Sequence, residues 1–257
     1  LPNLRVVQST ADTALHHLFE PGSLAQVHIN FPDPWFKTRH SHRRLMQRDT
    51  LDAIVSRLTP DGVLYLATDI REYADMSAAL LAQTPGLDNL LTTPWADALP
   101  GRVVTKYESK ARQEGRTSYF FVHRRNALPP PDVPVIKDMP MPHLVFTTPL
   151  SLDAMRAQFQ PHDTMEAGIP INFIACYQGE RKLLFEVYIR EPTIDQHIAL
   201  IVRQRGENEY TLLLGAFGIA RPTAGVHAAV RHLGDWLLSL HPDARAIHRT
   251  RQAGDEL

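Results

Sequence analysis

The stretch His28-Ile29-Asn30-Phe31-Pro32-Asp33-Pro34-Trp35-Phe36-Lys37, running on through Thr38-Arg39-His40-Ser41-His42-Arg43-Arg44, decides how this chain is read. Val27 to Phe31 is a short apolar run bounded by turns, which reads as a buried strand. Pro32 and Pro34 then lock their own φ and direct Phe31 and Asp33 toward extended backbone, so Asp33 is expected on a stiff hook just past a strand end. In open α/β sheets, ligands collect at the carboxyl ends of strands. Lys37, Arg39, Arg43 and Arg44 follow with two histidines and no acid among them. A rigid carboxylate, an indole and a cluster of cations at one strand end point to a site for a base attached to phosphates.

Outward from this stretch, strands and helices alternate. Leu4-Arg5-Val6-Val7 reads as a strand, and Ala14, Leu15, Leu18 and Phe19 fall at helical spacing. Between Ser41 and Leu58, the residues Leu51, Ile54, Val55 and Leu58 mark an amphipathic helix that ends at Pro60-Asp61-Gly62. Val63 to Thr68 is a buried strand ending on Asp69, followed by a helix with Tyr73, Met76 and Leu80 on one face. Leu87–Thr93 is a possible strand and Ser118–His123 a closing one. The alternation indicates an α/β domain with a mostly parallel sheet.

The prolines at 129, 130, 131, 134, 140 and 142 make residues 126–142 an extended linker between two domains, 1–125 and 143–251. Beyond it, Leu183, Phe185, Val187 and Ile189 alternate with polar neighbours, and turns at Gln178-Gly179-Glu180 and Gly206-Glu207-Asn208 predict about four antiparallel strands. A short helix (Leu152, Met155, Phe159) and a long one (Val226 to Leu240) are placed to cover one sheet face, an α+β sandwich.

Composition narrows the classes. The 257 residues suffice for one large or two ordinary domains, and a net charge of −1 leaves any nucleic-acid role to local patches. One cysteine, Cys176, excludes an internal disulfide and fits a reducing compartment. No apolar stretch is long enough to span a membrane, so a cytoplasmic location and no membrane partner are expected. The thirteen histidines, His16-His17 and His227/His232 included, match no metal spacing, and no metal is expected.

The string Phe31-Pro32-Asp33-Pro34-Trp35-Phe36-Lys37 with Arg39-His40 and Arg43-Arg44 resembles the signature of the bacterial tRNA (guanine-N7-)-methyltransferase family. Three further pieces match in order: Ala67-Thr68-Asp69 with Tyr73-Ala74; Thr105-Lys106-Tyr107-Glu108 with Lys110-Ala111 and Gly115; and Tyr119-Phe120-Phe121. The resemblance covers roughly residues 3 to 125. It implies the Rossmann-like sheet of S-adenosylmethionine-dependent methyltransferases and transfer of a methyl group to N7 of a variable-loop guanine, position 46, in tRNA. It makes Asp33 the catalytic carboxylate, next to both guanine and the methyl donor. Lys37, Asp69, Thr105, Lys106, Tyr107 and Glu108 become substrate contacts. N7 bears a lone pair and no proton, so this chemistry needs positioning and electrostatics more than a strong base.

Plainer alternatives stand beside these roles. Asp69 is also placed to cap the helix after it, and Thr105 to Glu108 could be a solvated turn. Trp35 is either a stacking platform for a base or a lid on the core. Lys37, Arg39, Arg43 and Arg44 could be the polar start of a helix. Because cations at a helix N-terminus oppose its dipole, Arg39, Arg43 and Arg44 are instead expected to meet tRNA phosphates.

The chain also departs from the family. The family's glycine-rich turn and first acid have no counterpart, and Thr10 stands where another acid is expected, leaving it as the one candidate for the donor's adenine. Two strand–helix units, roughly 60 residues, are missing from the centre of the sheet. The chain is therefore expected to be an N-terminally truncated piece with an extra C-terminal domain. The alternative function is a non-catalytic tRNA-binding relative that lacks the donor site. The second domain resembles nothing nameable; an accessory or tRNA-gripping role is expected, with His143, Arg181, Lys182, Arg190, Arg203 and Arg205 as a possible basic surface interrupted by Glu186 and Glu191.

Overall fold

The computed structural model describes residues 2–101 and 103–250, and the chain divides into two compact units, Leu1–Ile136 and Lys137–Leu257. In the first, helix α1 (Ala11–His17) precedes the edge strand β1 (Leu24–Asn30), a 3-10 helix (Thr38–Arg43), helix α2 (Arg48–Arg57) and strand β2 (Leu58–Thr68). Helix α3 (Arg71–Ala82), strand β3 (Leu87–Asn89), helix α4 (Lys106–Gln113) and strand β4 (Tyr119–Arg125) complete it. The sheet order is β1-β2-β4-β3. Leu51, Ile54 and Val55 of α2, Leu64 and Leu66 of β2, and Tyr73 and Ala74 of α3 form the core, all almost fully buried.

Three expectations need correction here. The sheet is mixed: β1 and β2 are parallel, whereas β4 runs antiparallel to both β2 and β3. Strand patterning carries no direction, and α4 delivers the chain to the end where β2 finished, with Tyr119 opposite Thr68. Leu4–Val7 forms no strand; Val6 is 88% exposed and pairs with no strand among the described residues. Strand propensity is largely the benefit of packing against a neighbour, and that segment has none. The helix expected over 41–58 is broken at Arg44, which is extended (ψ 139), leaving a 3-10 turn before it and α2 after it.

Arg57 is fully buried. Its guanidinium donates to the carbonyls of Leu15 (2.7 Å), Val133 (2.9 Å) and Pro134 (3.0 Å) and to the Ser56 hydroxyl (2.9 Å). Ile136 N–H donates to His16 O at 2.8 Å. The proline-rich segment is thus laid down on the first unit as far as Ile136, and the division between units falls inside it.

His123 of β4 is 5% exposed with an unpartnered Nδ1, and burial lowers its pKa to about 4 from 6.5. The folded state therefore keeps it neutral while the unfolded chain takes up a proton between those values. Stability is full above pH 6.5 and falls as pH drops toward 4, by at most about 3 kcal/mol. Urea unfolding at pH 7.5 and pH 4.5 should show this loss in the parent protein, and His123→Leu should flatten it.

The second unit is a seven-stranded antiparallel sheet of order β11-β5-β10-β9-β8-β7-β6. Its strands are β5 (His143–Thr147), β6 (His162–Glu166), β7 (Ile169–Gly179), β8 (Lys182–Glu191), β9 (Ile194–Gln204), β10 (Glu209–Leu214) and β11 (Arg245–Arg249). Helices α5 (Leu152–Gln158) and α6 (Ala224–Ser239) share one core with Leu183, Phe185, Val187 and Ile189 of β8. Phe159 meets the Phe185 and Trp236 rings edge-on at 5.2 and 5.9 Å. The four predicted strands are β7 to β10. The other three escape pattern reading because β5 directly follows the prolines, while β6 and β11 are polar edge strands, β11 exposed throughout.

Glu191 belongs to the fold rather than to a charged surface. It accepts from Gly225 N–H (3.0 Å) and the Thr223 hydroxyl, capping α6. Gly225 is required there, since a Cβ would sit 2.6 Å from Ile189 Cγ2 and 2.8 Å from the Glu191 carboxylate. Gly225→Ala should cost the second unit about 1–3 kcal/mol, read as an earlier unfolding transition in urea.

Candidate functional site

The carboxyl ends of the parallel pair β1/β2 gather the residues singled out by sequence. Phe31 extends the ladder by one bond, its N–H donating to Ala67 O at 2.7 Å, and the chain then leaves the sheet. Phe31 is not extended but lies at φ 51, and Trp35 at φ 43. Left-handed backbone is unusual for bulky residues and costs of order 1–3 kcal/mol per residue, so surrounding contacts must hold it. The hook is therefore bent at both ends, with the two prolines and Asp33 between the bends.

Asp33 is exposed and makes no hydrogen bond or ion pair among the described residues. It lines a recess of about 490 Å³ with Pro34, Trp35, Phe36, Lys37 and His40. Trp35 is half-buried, with the Arg43 guanidinium 5.1 Å from its ring centroid and His40 at 6.0 Å. Arg39 and Lys37 are exposed. Arg43 and Arg44 lie at the C-terminal end of the 3-10 helix, not at a helix N-terminus, so their cations agree with the dipole and the electrostatic reason for expecting phosphates there is removed. Arg44 is turned inward to the carbonyls of Pro34 and Trp35.

Asp69 does not cap α3; the N-cap position is Ile70, which has no side-chain cap. Its carboxylate pairs instead with Arg116, whose other nitrogen reaches Glu114 at 2.5 Å. Arg116 was not singled out by sequence, because nothing in a spacing of 47 residues links it to Asp69. Gly115 at φ 69 directs it there: it ends α4 in a left-handed turn, with Gly115 N–H to Arg112 O (3.1 Å) and Arg116 N–H to Ala111 O (2.8 Å).

Thr105 to Glu108 is a helix start rather than a turn. The Thr105 hydroxyl accepts from Glu108 N–H at 3.2 Å, and Glu108 is buried and paired with Arg112 at 2.6 Å. Lys106 and Tyr107 remain exposed, and the Tyr107 ring stacks on Phe31 at 6.4 Å, joining α4 to the start of the hook. Arg71 lies over Trp95 (4.9 Å) beside Tyr119, a second stacked cation at the same sheet end that pattern reading missed. Met46 N–H donates to the Tyr73 hydroxyl at 3.1 Å, and burial raises the pKa of that phenol.

Thr10 is apart from this group. Its hydroxyl accepts from Thr13 N–H at 3.1 Å as the N-cap of α1, so it is already committed. β1 is the terminal strand of the sheet formed by the described residues of the first unit. Among the described residues no group of three or more His, Cys, Asp or Glu is arranged to hold a metal ion. His227 Nε2–H donates to Pro140 O at 2.7 Å, and His232 Nε2 meets His162 Nε2 at 3.1 Å. No helix among the described residues is long and apolar enough to cross a membrane. Of the basic residues in the second unit, Lys182 and Arg203 are cross-strand neighbours, Arg190 faces Asp195, and Arg205 lies 3.7 Å from Glu209.

The sheet order β1-β2-β4-β3, with one parallel pair and a carboxylate hook after β1, is consistent with a methyltransferase-like α/β fold. Residues 1–121 match the family described as putative methyltransferase. Similar relatives are the tRNA (guanine-N(7)-)-methyltransferases of Burkholderia ambifaria (39% identical over 127 residues, 49% of each chain) and Treponema pallidum (42% over 126 residues, 48% of each). That of Rhodococcus jostii is 44% identical over 117 residues, 45% of this chain and 44% of its own. The first unit is thus similar to tRNA (guanine-N(7)-)-methyltransferases, and the chain spans about half the length of the curated relatives it matches.

Proposed function

We propose that the first unit presents the guanine-facing half of a tRNA (guanine-N7-)-methyltransferase site, acting on a variable-loop guanine, position 46 in the finer reading. The observation that carries this is the Asp33 carboxylate, bonded to no described residue, on a doubly bent hook at the end of β1, beside Trp35 and Lys37. Asp33 accepts from the N–H edge of guanine and so orients N7; the carboxylate also stabilises positive charge near the acceptor nitrogen. Tyr107 and Trp35 offer ring faces to bases, and Lys37, Arg39 and Lys106 meet phosphates. Arg116 holds Asp69 in place as guanine enters. S-adenosylmethionine would supply a methyl group on a sulfonium.

A second reading, tRNA binding without catalysis, is favoured by Thr10 being used as a helix cap. The two are separated by incubating the protein with unmodified tRNA and S-adenosylmethionine and mapping N7-methylguanosine by chemical cleavage at the modified base. Methylation at the variable-loop guanine supports the enzyme. Tight tRNA binding with no methylguanosine supports the binding protein, and neither result refutes both.

A further inference from the structure

Arg44 stands inside the basic cluster that sequence assigns to tRNA phosphates, yet its side chain is spent on the protein. Nε donates to Pro34 O at 3.0 Å, one Nη to Trp35 O at 3.3 Å, and the other Nη lies 3.3 Å from the Met76 sulfur of α3. The two carbonyls flank the left-handed bend at Trp35. The backbone of Arg44 is itself pinned: its N–H donates to Ser41 O (3.1 Å), and Gln47 Nε2 donates to both Arg44 O and Ser41 O at 3.1 Å.

We infer that Arg44 is a positioning residue, a bracket that holds the hook in the bent shape that presents Asp33, and not a phosphate contact. A guanidinium suits this role because its fixed fork can serve two adjacent carbonyls at once, which the single ammonium of lysine cannot do in the same geometry. Met76 closes the third side, so the bracket ties the hook to α3 as well as to the 3-10 helix. Arg43 assists from outside, over the Trp35 ring. The consequence for catalysis rests on the guanine-facing role of Asp33; the bracket itself does not.

The test uses Arg44→Lys, Arg44→Ala and, as a surface comparison, Arg39→Ala. Losing one phosphate contact lowers the slope of log affinity for tRNA against log salt by roughly 0.7–0.9. Arg39→Ala should show that change and Arg44→Ala should not. Misplacing a reacting group by about 1 Å costs on the order of 10²-fold, so both Arg44 variants should lose about that much in kcat, with KM for tRNA little changed. Lysine keeps the charge, so a phosphate contact would be rescued by Arg44→Lys and a bracket would not. In the tRNA-free protein, the Arg44 Nε–H should exchange slowly in NMR spectra, and this arm holds even if no methyl transfer is found. A slope change in Arg44→Ala, rescue by lysine, or an Nε–H exchanging as fast as that of Arg39 overturns the inference.

Discussion

On the proposed function, Asp33→Asn should lower methylation of guanine N7 in unmodified tRNA by about 10²-fold and leave the stability of the first unit unchanged. The second half of this expectation follows from geometry: the carboxylate is exposed and bonded to no described residue, so the fold does not depend on it. The first half follows from chemistry. A carboxylate can accept two N–H bonds from the guanine edge, and charge-assisted bonds of this kind are about twice as strong as neutral ones. Asparagine keeps the shape but points an N–H₂ group at a donor edge. Rates at saturating tRNA together with urea unfolding of both proteins check the pair of statements. Equal rates would remove Asp33 from the mechanism, and a large loss of stability would make it a structural residue.

Arg57→Met destabilises the first unit by about 3–5 kcal/mol. Methionine fills part of the volume but donates nothing, so three carbonyls and a hydroxyl lose the partner they have in the interior. Burial lowers the pKa of this guanidinium and the charge of Glu20 raises it, so the group sits in a dry, acceptor-rich environment that no uncharged side chain reproduces. The effect should have a location as well as a size. Val133 and Pro134 are released, and the Ile136 amide, which donates to His16 O, should exchange faster before the rest of the unit unfolds. A loss under about 1 kcal/mol, the size of one ordinary hydrogen bond, would show that the proline segment is not held through Arg57.

The core strands and helices were legible because they are written as continuous apolar runs or at a 3.6-residue period. β2 and α2 are the clearest, and both are central to the core. Strand direction was not legible, since β4 reads identically either way and only the route through α4 fixes it. Leu4–Val7 carries strand-like residues, but a strand needs a neighbour to pair with. The hook was announced by its prolines, whereas left-handed Phe31 and Trp35 run against local preference and are imposed by Ala67 on one side and Arg44 on the other. Charge alone grouped Arg44 with Arg39. Only the fold separates a cation that faces outward from one that brackets two carbonyls.

The claim that Phe31–Arg44 and α4 together face the tRNA is tested most directly by photo-cross-linking the protein to unmodified tRNA and mapping the attached peptides by mass spectrometry. Cross-links are expected on peptides carrying Trp35 and Tyr107, with Asp33→Asn leaving their positions unchanged. Cross-links confined to residues beyond Lys137 would contradict it.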